Sequence, residues 1–88
     1  MTEREIFSAV ALRYPEWAEA PYISAKAKGS VAERLVEIAR ENQVPVVEDT
    51  ALANVLSIQN IGSLIPEETY SALATIFAFI VNLEKDKS

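Results

Sequence analysis

The sequence predicts a small α/β (α+β) domain, a mixed three-stranded sheet with about three helices packed on it. Short apolar runs bounded by proline read as strands, other segments repeat their apolar residues at helical spacing, and the two kinds alternate as β-β-α-β-α-α along 88 residues. A chain of that length forms one domain and buries only roughly 60–65% of its extended surface, so a stabilising partner suits its size. The domain is expected over residues 7–83, between a flexible N-terminus (1–6) and a flexible tail (84–88) that are charged and outside every periodic run.

Phe7-Ser-Ala-Val-Ala-Leu-Arg-Tyr14, ended by Pro15, suits a strand buried on at least one face. Tyr22-Ile-Ser-Ala-Lys26 is a weaker strand, expected at a sheet edge because Pro21 sits at its start. Ser30-Val-Ala-Glu33 has the form of a capping box, with Ser30 as the cap and Glu33 reaching back. The helix that follows places Val31, Leu35, Ile38 and Ala39 inward and its charges outward, with Asn42 as a left-handed cap. Val44-Pro-Val-Val-Glu48 reads as the third strand. Asp49 or Thr50 caps a brief helix over 51–57 with Leu52, Val55 and Leu56 inward, and residues 58–65 form a connection around Gly62. Pro66 suits the first position of the last helix, with Glu67 and Glu68 favoured by its dipole, and that helix is expected to end at about Leu83.

Thirteen acidic residues against eight basic ones give a net charge of −5, which argues against a nucleic-acid surface; only Lys26 and Lys28 approach a basic cluster. Histidine and cysteine are absent, which removes imidazole and thiolate chemistry and zinc sites of the N/S type. Two glycines make no phosphate-cradling loop. The adjacent carboxylates Glu48-Asp49 and Glu67-Glu68 stand where helix N-termini favour acids, and no ligand-rich loop surrounds them. Lys26 has no partner group that marks it as a Schiff-base lysine. An enzyme, a cofactor, a metal and a small-molecule substrate are therefore not expected. The apolar run from Ser71 to Leu83 is shorter than the roughly 20 residues of a membrane span, and no secretory signal is legible. The expected place is the cytoplasm.

The last helix carries two apolar stripes, Tyr70-Leu73 or Ala74-Phe77-Val81 and Ala72-Ile76-Phe79-Leu83. Two readings stay open: one stripe faces a partner, or both are core because the helix at 51–57 covers the second. Trp17 has the same two readings, a lid on the core edge or an anchor for a partner.

Ala9-Val-Ala-Leu-Arg-Tyr14, Ala20-Pro21, Ala25-Lys26, Gly29, Glu37-Ile-Ala39, Val44-Pro45 with Glu48, Leu52-Ala53, Ile61-Gly62 and Ile65-Pro-Glu-Glu-Thr-Tyr70 occur in that order. Together they resemble the C-terminal cytoplasmic domain of the FlhB/YscU family (with SpaS and EscU), the switch proteins of flagellar and type III export gates, from about Phe7 to Leu83. Family members cleave themselves at an Asn-Pro-Thr-His loop by cyclisation of the asparagine. Here Arg4-Glu-Ile-Phe7 stands in that place, so the chemistry of self-cleavage is lacking and the chain resembles the downstream fragment of such a cleavage. Ala27 replaces a usual glycine, and the connections after Tyr14 and Leu56 are short.

The resemblance implies an adaptor of the export apparatus. It would dock on the membrane-bound FlhB-type protein of the gate, peripherally at the inner face of the cell membrane and without spanning it, and influence which export substrates are recognised. The family's docking positions correspond to Ala20, Pro21, Ala74 and Phe77, which would turn the Ala74 stripe outward and the Ile76 stripe inward. Trp17, Lys26 and Lys28 are secondary candidates. A diverged binding module with another protein partner is the alternative.

Overall fold

The computed structural model describes residues 7–86, with side chains to residue 81. The expected flexible N-terminus (1–6) and residues 87–88 lie outside the described residues, whereas residues 84–86 belong to the last helix. Strand β1 (Ser8–Arg13) and strand β2 (Tyr22–Lys28) form an antiparallel ribbon, followed by α1 (Ser30–Glu41), α2 (Thr50–Ser57), a 3₁₀ turn (Glu67–Thr69) and α3 (Tyr70–Asp86).

Ala9 pairs with Ala27, Val10 with Lys26 and Ala11 with Ala25, after which the register shifts so that Leu12 faces Ile23 and Arg13 faces Tyr22. Ser24 is the extra residue of this bulge, and its hydroxyl donates to the Ala11 carbonyl at 3.1 Å. Alternation along β1 sends Val10 and Leu12 to one face, against the buried Ala20, Leu56, Ile65 and Leu73 with Leu52, Ile76 and Phe77. The opposite face of the ribbon is built of paired alanines, and α1 packs on the ribbon separately from that core, burying Ala32 completely.

The last helix does not begin at Pro66 as expected: Pro66 is extended (ψ 146°), Glu67 and Glu68 belong to the 3₁₀ turn after it, and α3 begins at Tyr70. Four further local expectations are corrected. First, residues 44–48 form no strand: Pro45 has no N–H to give, and Val44 and Val47 are exposed. Residues 62–65 take the third position instead. Gly62 N–H donates to the Ile23 carbonyl (2.7 Å), Ile23 N–H to Ser63 (3.0 Å) and Ile65 N–H to Pro21 (3.0 Å), around an antiparallel bridge between Tyr22 and Leu64. The regular sheet therefore has two strands, and the start of β2 is its interior rather than an edge.

Second, Ser30 is the first helical residue and the capping box does not form. Gly29 occupies the cap at φ 64°, ψ −136°, a conformation open to glycine, and its carbonyl accepts from Glu33 N–H. Third, the inward face of α1 is Ala32, Leu35, Val36 and Ala39, one position round from that expected; Val31 is 65% exposed and Ile38 is also exposed. A methyl at Ala32 fits against an alanine-lined sheet where a larger side chain does not.

Fourth, Asn42 is not left-handed. Gln43 is, at φ 60°, and the helix ends in a Schellman motif in which Gln43 N–H donates to Arg40 and Val44 N–H to Ala39. By contrast Asp49 caps α2 as expected, its carboxylate accepting from Leu52 N–H at 3.0 Å.

Two stability outcomes follow from these caps, both readable by thermal melting. Gln43→Gly is expected to raise stability by about 0.5–1 kcal/mol by relieving the left-handed glutamine. Asp49→Ala is expected to lower it by about 1 kcal/mol. A Gln43→Gly protein that melts lower than the parent contradicts the strain argument.

Candidate protein-docking site

The segment that enters β2 meets the start of α3 at one open concavity of about 190 Å³. Its floor is buried and apolar: Ala20, Pro21, Ile65 and Leu73. Tyr14, Tyr70, Ala74 and Phe77 form the walls, and Glu19 is the one charged residue that lines it. The Tyr14 and Phe77 rings meet at 5.9 Å, inclined by 53°, so one wall is a tilted aromatic pair. The volume is below the roughly 300–1,000 Å³ of sites that enclose small molecules, and an open apolar hollow of this size suits side chains of another polypeptide.

All four primary candidates, Ala20, Pro21, Ala74 and Phe77, line this one hollow, although more than fifty positions in the sequence lie between the two pairs. Ala20 and Pro21 are floor rather than surface, Ala74 is exposed, and Phe77 is half-buried against the core. The division of α3 into stripes is corrected. The inward line runs Leu73, Ile76, Phe77, Ile80, between the two expected stripes, and its first three residues join Leu52 and Leu56 of α2 in the core. Phe79 and Ala72, expected inward, are exposed, Phe79 at 60%, whereas Val81 of the outward stripe is exposed as expected; Leu83 lies beyond the described side chains.

The secondary candidates are not gathered here. Trp17 is 82% exposed in the β1–β2 connection and does not line the hollow. Lys26 donates from Nζ to the Ser57 carbonyl at 3.2 Å and the Gln59 carbonyl at 2.7 Å, so it ties β2 to the C-terminal end of α2, where the helix dipole favours a cation. Lys28 is exposed opposite Ser8. Of the carboxylates, Asp49 is the α2 cap and Glu48 is exposed, while Glu67 and Glu68 stand exposed in the 3₁₀ turn ahead of α3. Among the described residues no three carboxylates converge as metal ligands, and no helix is long and apolar enough to cross a membrane. Tyr14 and Glu19 of the hollow escaped the sequence reading. Tyr14 had a signal in the proline that follows it; Glu19 had none.

A small α+β domain of this architecture has known counterparts. The chain matches the model of the FlhB HrpN YscU SpaS family over residues 7–80, and it belongs to that family. It is 37% identical over 81 residues to the uncharacterized protein YlqH of Bacillus subtilis (strain 168), covering 91% of this chain and 87% of YlqH. It is 39% identical over 79 residues to the flagellar biosynthetic protein FlhB of Aquifex aeolicus (strain VF5) and 40% identical over 79 residues to that of Escherichia coli (strain K12). In each case 88% of this chain is covered, but it spans only 23% and 21% of the FlhB proteins. The crystal structure of the PscU C-terminal domain superimposes with a TM-score of 0.76 at 27% identity, over 83% of this chain and 95% of that one.

Phe77 and Ala74 are separable by stability. Phe77→Asp is expected to cost about 3 kcal/mol or more, because it removes core packing and half-buries a carboxylate. Ala74→Asp lies on the exposed side of α3 and is expected to stay within about 1 kcal/mol of the parent. Chemical denaturation measures both, and a Phe77→Asp protein as stable as the parent would place that ring outside the core.

Proposed function

We propose that this chain is a non-enzymatic adaptor of a flagellar or type III protein export apparatus. It docks on the export gate, at the inner face of the cell membrane, and influences substrate recognition or specificity switching. Membership of the FlhB HrpN YscU SpaS family supports a role in export. The observation that carries the docking is the convergence of Ala20, Pro21, Ala74 and Phe77 on one hollow with a buried floor and exposed walls. Such a surface gains from burying a partner's apolar side chain without rearranging its own core.

A second surface suits the gate itself. β1 pairs with β2 on one side only, and among the described residues its other edge has no strand beside it. Arg13 is the one charge on β1 that guards this edge, so a strand of the gate protein can add there by main-chain hydrogen bonds. The lack of histidine and cysteine supports the non-enzymatic reading, since no imidazole is present to activate the available hydroxyls as nucleophiles.

The test is co-purification with a membrane-bound FlhB-type protein truncated ahead of its own copy of this domain, scored with secretion in cells that carry the truncation. Binding with restored secretion, both lost in Ala74→Asp, is the expected result. Absence of both binding and rescue would overturn the adaptor reading in favour of a diverged module with another partner.

A further inference from the structure

We infer that the hollow selects a polypeptide segment carrying a lysine or arginine beside its apolar anchor, and that Glu19 makes the selection. This rests on the docking reading above and names the chemistry of what docks. The floor and walls are uncharged except at Glu19, so they accept an aliphatic or aromatic anchor and are indifferent to its neighbours. Glu19 is exposed and, among the described residues, forms no ion pair. Its carboxylate lines an apolar surface with no cation paired to it among the described residues.

The surroundings have the same sign. Glu16 lies in the same connection, and Glu67 and Glu68 sit in the turn that leads into Tyr70. Arg13 is adjacent in sequence to Tyr14, but it sits on β1 opposite Tyr22 and does not line the hollow. A cation next to the anchor gains the Glu19 carboxylate, and it also meets the exposed rings of Tyr14 and Tyr70, whose faces attract cations. An acidic neighbour meets repulsion. A second copy of this chain is disfavoured as occupant by its own net charge of −5.

Two short synthetic peptides test this, sharing one Leu- and Phe-containing core flanked either by lysines or by glutamates. Each is titrated by fluorescence anisotropy at low salt against the full chain and against Glu19→Lys, Glu33→Lys and Ala74→Asp. Glu33 is exposed on α1, so Glu33→Lys changes the net charge as Glu19→Lys does but away from the core that backs the hollow.

The parent is expected to bind the lysine-flanked peptide about three-fold or more tighter, with the preference shrinking as salt is added. Glu19→Lys should abolish or invert that preference, and Glu33→Lys should keep most of it. Equal shifts in the two charge variants would mean that net charge acts alone; the role of Glu19 would then fail while the docking reading stood. Binding of both peptides unaffected by Ala74→Asp would instead sink the docking reading. Failure of the lysine-flanked peptide to bind at millimolar concentration overturns the selection, as does self-association of the chain abolished by Ala74→Asp.

Discussion

The backbone from Pro21 to Ile23 is hydrogen-bonded from both sides, and the rest of the molecule depends on it. On one side β1 pairs through Leu12 and Arg13 with Ile23 and Tyr22; on the other, residues 62–65 exchange three hydrogen bonds with Pro21 and Ile23. This clamp draws together segments some forty positions apart and leaves Ile23 wholly buried. Because Ile65 is held against Pro21, Pro66 and the turn after it can start α3 in only one place. There Thr69 closes the turn with its hydroxyl on the Pro66 carbonyl, and Leu73 drops into the core. The hollow is the remaining gap between Ala20-Pro21 and the first turns of α3. It is a product of the clamp rather than of any one helix face.

Two further devices keep the layers in register. The bulge at Ser24 resets β2 so that Lys26 stands opposite Val10, on the side of the ribbon that α2 covers, and from there its ammonium reaches the carbonyls of Ser57, the last residue of α2, and Gln59 just past it. Without that extra residue the alternation would point Lys26 the other way. On the opposite face, paired alanines let α1 approach closely, and its small buried contact at Ala32 matches them. The larger core thus belongs to α2 and α3, and α1 is the lighter layer.

The elements with a strong local cause were legible in the sequence: two strands ended or begun by proline, the Asp49 cap, and a long apolar last helix, although it begins at Tyr70 and not at Pro66. What failed has a physical reason in each case. Residues 44–48 have strand composition, but composition says nothing about whether a partner backbone is near, and Pro45 removes a donor. Residues 62–65 look like a loop because Gly62 and Pro66 punctuate them, yet they carry the pairing. Ser30 and Glu33 spell a capping box, but Gly29, at a backbone angle closed to most residues, is a competing cap one position earlier. Gln43 in a left-handed conformation carries no compositional signal at all. The four candidate docking positions came through family resemblance. Periodicity alone divided α3 into two stripes and missed the line between them.

Phe77 shows why that line could not be read from one helix. Its ring packs against the core and forms a wall of the hollow with Tyr14, so it belongs to both of the classes that a stripe analysis keeps apart. In a domain of this size the core is only a few side chains deep, and a residue that backs the surface is one layer from the floor beneath it. Stability and the proposed docking are therefore coupled at Phe77 and uncoupled at Ala74 and Glu19, which touch the hollow without supporting it. A partner that filled the hollow would cover the exposed side of the same aromatic pair, so its binding would stabilise the fold through the residues that shape the site.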